Sequence, residues 1–322
     1  MAKACIGIDL GGTFIKFALL DEQLSIQAQL QAPTPADGGP DAVIEAMAAG
    51  AKQLLEQQGM STDQVLGVGI GSPGPLDLEN GIVIGTPNIP GFQNLPIRDR
   101  LSQALDLPAE LENDANAAAL GEFLLGRGKH LQNMVLLTLG TGIGSGIVVE
   151  GRLIHGAHGI GAECGHMIVQ PGGELCGCGQ RGCLERYASA TYLAQHARRL
   201  VEVDHRPSSL AEVLRKNGDI DARDIQAARR AGDPLAEEVW DRATLYLAIG
   251  CVSLCRVFDP DLIVLSGGLT NAGSDLTQPL MQHFRRQHWT LAEPRTDIVL
   301  SALGNDVGVI GAACVALQKF RK

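Results

Sequence analysis

Two stretches of this chain set an apolar run, a glycine turn and a second apolar run in direct succession, which constrains the fold more than any other feature. The first runs from Ala4 to Ile8, turns through Asp9-Leu10-Gly11-Gly12-Thr13 and resumes from Phe14 to Leu20. The second runs from Met134 to Leu139, turns at Gly140-Thr141-Gly142 and resumes from Ile147 to Val149. Short apolar runs bounded by glycine read as buried strands. Two copies about 130 residues apart predict duplicated α/β halves around one cleft.

The remaining pattern fits that frame. Further strands are expected at Leu24 to Leu30, Val65 to Ile70, Ala109 to Leu111 and Leu262 to Leu265. Helical spacing of Val43, Met47, Leu54 and Leu55 predicts a helix from Asp41 to Gln58, with Gly59 as its stop. Long helices are expected at Ala188 to Val203 and at Pro234 to Val257, the latter capped by Asp233 with Pro234 in its first position. An amphipathic helix from Val307 to Phe320 closes the chain. The expected division is a small N-terminal α/β domain over 1–113 and a larger one over 114–305, the last helix, 306–322, packing back on the first.

Composition removes several function classes. At 322 residues, 45% apolar and 19% charged, the chain can bury a substantial core. No apolar run reaches the roughly 18 residues of a membrane span, and the first apolar stretch is broken by Asp9, a poor signal peptide; a cytoplasmic protein with no membrane partner is expected. A formal net charge of −10 disfavours a nucleic-acid partner, and Arg229-Arg230 and Arg285-Arg286 are isolated pairs, not a basic stripe. Of the eight cysteines, Cys5, Cys251, Cys255 and Cys314 lie in apolar runs and read as core residues.

The chemistry concentrates in few places. Asp9 stands at a strand end beside Gly11 and Gly12, whose backbone N–H groups can cradle phosphate, with Thr13 and Lys16 as further donors. A carboxylate so placed suits Mg²⁺ held through water. Thr141 and Gly142 repeat the arrangement, and Gly267 and Gly268 form a third strand-end turn, where a nucleotide could pack. Two apparent dinucleotide fingerprints fail. In Gly69-Ile70-Gly71-Ser72-Pro73-Gly74, Pro73 and Pro75 forbid the required helix, and the match at 177–182 follows no strand. Gly128-Lys129 is followed by His130, so no Walker A sequence is present there.

Glu112-Asn113-Asp114-Ala115-Asn116 leads from a strand into an alanine-rich helix. An aspartate there can simply cap the helix; with the glycine turns present, the reading preferred is that Asp114 is a general base that takes the proton from a sugar hydroxyl as a γ-phosphoryl group arrives in line. His166, Cys176, Cys178 and Cys183 form a one-histidine, three-thiolate set suited to structural Zn²⁺, with Cys164 outside it. Glu163 and Glu185 flank the set and would be held rigid by it, able to accept hydrogen bonds from sugar hydroxyls.

Together the three glycine turns look like the phosphate and adenosine elements of the actin–hexokinase–Hsp70 ATPase fold, the ribonuclease H-like architecture. The segment Gly159 to Glu185, with Cys-Gly-Cys-Gly-Gln-Arg-Gly-Cys-Leu-Glu, resembles the ROK family of bacterial sugar kinases and repressors, and within it the glucokinases. That resemblance implies an ATP-dependent hexose 6-phosphotransferase with glucose favoured, and N-acetylhexosamines, mannose or fructose as alternative sugars. It implies Asp114 as base, Asn88, Asn113, Glu163, His166 and Glu185 on the sugar, and Asp9, Gly11, Gly12, Thr13, Thr141 and Gly142 around Mg-ATP. Zinc on His166, Cys176, Cys178 and Cys183, and assembly as a homodimer or homotetramer, follow from the same likeness. The chain departs from many members at Asn88-Ile89-Pro90-Gly91-Phe92, where they carry Asn-Leu-x-x-Trp. Repressors of the family add an N-terminal helix-turn-helix, whereas the first strand is expected here within about four residues of Met1.

Overall fold

The computed structural model describes residues 3–86, 89–287 and 295–321. The elements follow in the order β1 (Ala4–Leu10), β2 (Phe14–Asp21), β3 (Ile26–Pro33), α1 (Gly39–Gln57), β4 (Val65–Ser72), β5 (Leu76–Asp77), β6 (Ile82–Gly85), β7 (Gln93–Leu95), α2 (Ile97–Leu105), β8 (Ala109–Asn113) and α3 (Asp114–Leu125). Next come β9 (Met134–Leu139), β10 (Ile143–Val149), β11 (Arg152–Leu153), α4 (Glu185–Ala188), α5 (Ala190–Glu202), α6 (Leu210–Asn217), α7 (Ala222–Arg230) and α8 (Pro234–Phe258). The chain ends with β12 (Leu262–Ser266), α9 (Ser274–Arg286), β13 (Asp297–Leu300) and α10 (Val307–Phe320).

The duplication is visible in sheet topology. One five-stranded sheet has the order β3-β2-β1-β4-β8 and another β11-β10-β9-β12-β13. In the first, β1 pairs antiparallel with β2 and parallel with β4, and β4 pairs parallel with β8. In the second, β10 and β11 are antiparallel, while β9, β12 and β13 run parallel. This repeated mixed sheet is that of the actin-like ATPases.

The chain divides into two compact units, one of residues 1–132, 146–162 and 302–322, the other of 133–145 and 163–301. The first unit therefore continues past Asn113 through α3. The reason lies in small residues. A Cβ on Gly311 of α10 would fall 1.7 Å from the carbonyl oxygen of Ala117, and one on Gly121 would meet Val307 O at 2.9 Å, so α3 and α10 pack backbone to backbone. Helix α10 lies as closely on the sheet, since a Cβ on Gly69 would come within 1.8 Å of Ala312 O and one on Gly7 within 2.2 Å of Val309 O. On this face Ala117, Leu120, Val309, Ile310, Ala313 and Cys314 form the core. Helices α1 and α2 cover the other face, where Phe17, Met47, Leu54, Ile70, Leu101 and Leu111 are buried. Ile89 and Phe92 belong to this core, which explains an apolar aromatic at that site, while Asn88 lies outside the described residues.

In the second unit the spine is α8. Asp233 caps it through the N–H groups of Leu235 and Ala236, and Pro234 opens it. The Trp240 indole N–H donates to Asp275 O at 2.9 Å, tying α8 to α9. No helix among the described residues is long and apolar enough to cross a membrane.

Gly69→Ala or Gly311→Ala should cost about 3 kcal/mol or more, because the added methyl meets backbone that cannot yield. Gly218→Ala, with φ 78° and open space around its Cβ, should cost only about 1 kcal/mol of backbone strain. Urea denaturation of the three variants checks the ranking.

Candidate active site

In the first unit the strand register brings the acidic residues together. Asp9 pairs with Gly71, and Gly71 in turn with Glu112, so β1, β4 and β8 end side by side at Leu10, Ser72 and Asn113, with Asp9 in the last pair of β1 with β4. Parallel α/β sheets present ligands at such C-terminal strand ends. Asp114 begins α3 immediately beyond. The cap of that helix is Asn113, whose Oδ1 accepts from the N–H of Ala115 at 2.9 Å and of Asn116 at 3.1 Å. Asp114 is thereby spared the main capping duty; one of its oxygens accepts from Ala115 N–H at 2.8 Å. Asn113, expected on the sugar, has its oxygen committed to the helix and keeps only its amide N–H₂ for a ligand.

Both carboxyls hold protons unusually tightly. Burial, and secondarily the Asp114 charge, push Asp9 up to about 6 against the pull of Lys16. Burial raises Asp114 as well, opposed by the Ala115 N–H. Each side chain keeps partial solvent access, so protein surrounds the groups without sealing them off. Lys16, opposite Asp9 on β2, donates to the Asn305 carbonyl and pairs with Asp306 at 3.3 Å. Asp306 was not legible as a site residue, being brought in by α10 from the far end of the chain. Gly308 is needed there because a Cβ would stand 2.7 Å from an Asp9 oxygen.

The turn after β1 is a tight hairpin: Gly11 N–H donates to Phe14 O at 3.0 Å, and Thr34 bonds the carbonyls of Gly11 and Thr13. Neither Gly11 nor Gly12 has positive φ. Gly11 is required because a Cβ would press on Phe14 O at 2.8 Å. Gly12 and the exposed Thr13 complete the turn.

In the second unit β9 and β12 are adjacent and parallel, so their glycine turns lie together. A Cβ on Gly267, at φ 89°, would strike Leu139 O at 2.6 Å, whereas Gly268 faces open space. Strand β10 begins at Ile143, so the glycine-rich sequence after Gly142 is strand and not loop. Thr141 is exposed at the turn. Glu185 accepts from Ile143 N–H at 2.9 Å, and a Cβ on Gly142 would meet that carboxylate at 2.2 Å. Glu185 therefore ties the turn to the cysteine-rich segment. Arg186 does not neutralise it; its guanidinium lies 3.2 Å over the Tyr192 ring.

The donor atoms of His166, Cys176, Cys178 and Cys183 all lie within 4.8 Å of one another. The Cys178–Cys183 sulfur separation and the Cys176–His166 Nδ1 separation are each 3.7 Å. Four ligands at about 2.0–2.3 Å from one ion would subtend edges of about 3.8 Å, so the donor set fits tetrahedral zinc. Cys164 stands apart, buried, its N–H donating to Ser145 at 2.8 Å. Glu163 is exposed, and its carbonyl accepts from His166 N–H at 3.0 Å.

Sheet topology, strand-end carboxylates and glycine turns define an actin-like phosphotransferase fold. The model of the ROK family matches residues 5–319, and the chain belongs to that family. A glucokinase of Halalkalibacterium halodurans is 37% identical over 98% of this chain and 95% of its own. The solved ROK hexokinase of Thermus thermophilus is 37% identical with a TM-score of 0.84, covering 98% of each chain. A ROK family glucokinase of Streptomyces griseus, solved with glucose and AMPPNP, is 33% identical with a TM-score of 0.82, covering 98% of this chain and 99% of that one.

The raised Asp9 carboxyl binds its proton more tightly folded than unfolded. Its contribution therefore favours the fold fully below its ordinary value of 3.8 and is lost as pH rises through about 6. Asp9→Asn should raise the melting temperature of the ligand-free protein at pH 7.5 by a few degrees, with little change near pH 4. Calorimetry at about pH 4 and 7.5 checks the sign.

Proposed function

We propose that this chain is an ATP-dependent hexokinase that phosphorylates glucose at its 6-hydroxyl. The observation that carries this reading is Asp114, a carboxylate at the C-terminal end of the parallel strands β4 and β8, relieved of capping by Asn113 and raised in proton affinity by burial. Such a group is matched to take a proton from an alcohol as a phosphoryl group arrives in line. The likeness to glucokinases along nearly the whole chain selects glucose over other hexoses.

In this reading Asn113 contributes its amide to the sugar, and Asn88, Glu163, His166 and Glu185 bind its other hydroxyls. Glu185 can do so only with the lone pairs its bond to Ile143 N–H leaves free. Asp9, Gly11, Gly12 and Thr13 receive the phosphates of Mg-ATP, with Thr141, Gly142, Gly267 and Gly268 also serving the nucleotide. Lys16 acts on the phosphates only by leaving Asp306, or else orders Asp306. Mg²⁺ would neutralise phosphate charge and, beside Asp9, return that carboxyl to its ionised form. Zn²⁺ on His166, Cys176, Cys178 and Cys183 would fix the segment that carries Glu163 and Glu185. Because thiolates must stay reduced to hold it, the enzyme belongs in the cytoplasm with its ATP.

Asp114→Ala should lower kcat by about 10²–10⁴-fold while the melting temperature stays near or above that of the parent. In a coupled ADP-release assay over a hexose panel, glucose should give the highest kcat/KM. Retained turnover would remove Asp114 from the mechanism, and an N-acetylhexosamine outrunning glucose would replace the substrate.

Metal analysis should find about one zinc per chain. Cys178→Ser should release it and lower the melting temperature, and zinc-free protein that melts like the parent would refute the structural role.

A further inference from the structure

Glu112 sits one residue before the cap of α3, and its carboxylate is held on both oxygens. Oε1 accepts from Asn113 N–H at 2.9 Å and from the buried Asn116 amide at 3.0 Å. Oε2 meets His155 Nε2 at 2.8 Å. Glu112 is only 5% exposed, whereas the His155 side chain, just beyond β11, is 38% exposed and borders a cavity of about 370 Å³. A buried carboxylate without its partner is costly, so the pair constrains where Glu112 can sit. Through Glu112 it also constrains the Asn113 N–H and the Asn116 side chain, on either side of Asp114 in sequence.

We propose that Glu112 and His155 are a positioning pair for Asp114, fixing the first turn of α3 so that the Asp114 carboxylate faces the sugar hydroxyl. This rests on Asp114 being the base. Neither residue of the pair touches substrate; each acts through the backbone of the helix start. Misplacing a catalytic group by a fraction of an ångström lowers the chemical step more than it lowers binding.

The pairing also carries a charge. The hydrogen bond from His155 to Glu112, helped by the Glu112 charge, raises the imidazole's proton affinity despite its partial burial. The other charged groups facing it across the cavity are Glu110 and Glu112 on β8, Arg152 on β11 and Lys319 on α10, with Lys319 and Glu110 paired at 3.0 Å. Of these groups the imidazole is the one whose ordinary titration falls near neutral pH, so the charge of the pair follows His155. The ion pair is complete below the raised imidazole value and weakens as pH rises through it, whereas Asp114 must lose its proton to work. Turnover should therefore fall at acid pH through Asp114 and decline on the alkaline side through His155.

The test compares kcat and glucose KM from about pH 6 to 9 in the parent, His155→Ala, His155→Gln, Glu112→Gln and the double variant Glu112→Gln/His155→Ala. Expected is an about tenfold loss of kcat in His155→Ala and Glu112→Gln with glucose KM within about twofold, and a double variant no worse than either single. The alkaline decline should vanish in both His155 variants, and His155→Gln, which keeps a donor towards Glu112, should recover part of the lost kcat. If His155→Ala melts, His155→Gln and Glu112→Gln carry the comparison. A kcat within about twofold of the parent with the alkaline decline intact, or losses that multiply in the double variant, would overturn the pairing. Asp114→Asn separates the two readings: if it is inactive while the His155 variants match the parent, the base stands and the pairing falls. If Asp114→Asn is active, the base assignment itself is gone.

Discussion

Two carboxylates, Asp9 near the end of β1 and Asp114 just beyond β8, stand on either side of the end of β4, neither in an ion pair among the described residues, and the architecture of the first unit follows from keeping them there. The nearby lysine, Lys16, is committed to Asp306 and the Asn305 carbonyl. Burial above all makes both acids bind protons more tightly than in water. Their placement depends on helices that approach to backbone distance, which is why Gly7, Gly69, Gly121, Gly308 and Gly311 stand where any side chain would collide. Stability is given up at this spot and recovered in the α3–α10 packing around it, a common division between a strained site and a rigid scaffold.

The second unit solves a different problem, how to hold polar side chains still on irregular backbone. The segment from Glu163 to Glu185 has only short turns and isolated bridges, such as Ile168 with Cys183, to support it. A metal shared by the one histidine and three cysteines would supply the missing rigidity. Glu185 would carry that rigidity to the glycine turn through its bond to Ile143 N–H. Tyr187 adds a further tie, its hydroxyl accepting from Glu174 N–H at 2.9 Å while its ring stacks on Tyr246.

Much of this could be read from the sequence because the informative signals are local. Continuous apolar runs flanked by glycine turns marked β1, β2, β4, β9 and β12, and an aspartate followed by proline marked the start of α8. The cysteine spacing picked out the four donors that the fold brings together. What escaped is either weakly patterned or long-range. Helices α2, α6 and α7 have only eight or nine residues, shorter than the window over which helical spacing is read, and α9 carries Pro279 in its interior. The glycines of Ile143 to Gly146 mimicked a loop, although they form strand because Ala119 and the α3 backbone pack against Gly146. Asp114 could be read as a cap from sequence, whereas in the structure Asn113 takes that role through the N–H groups of Ala115 and Asn116. Asp306 and His155 join the site across sequence separations of 290 and 43 residues, which no local pattern reveals.

The central claim is that the Asp114 carboxylate touches the hydroxyl that receives the phosphoryl group. A crystal structure of this chain with glucose and a non-hydrolysable ATP analogue tests it most directly. The account predicts an Asp114 oxygen within about 2.6–3.2 Å of the sugar's 6-hydroxyl, with the terminal phosphate on the opposite side of that oxygen. A sugar bound with its 6-hydroxyl against another residue, and Asp114 still turned to the Ala115 N–H, would contradict it.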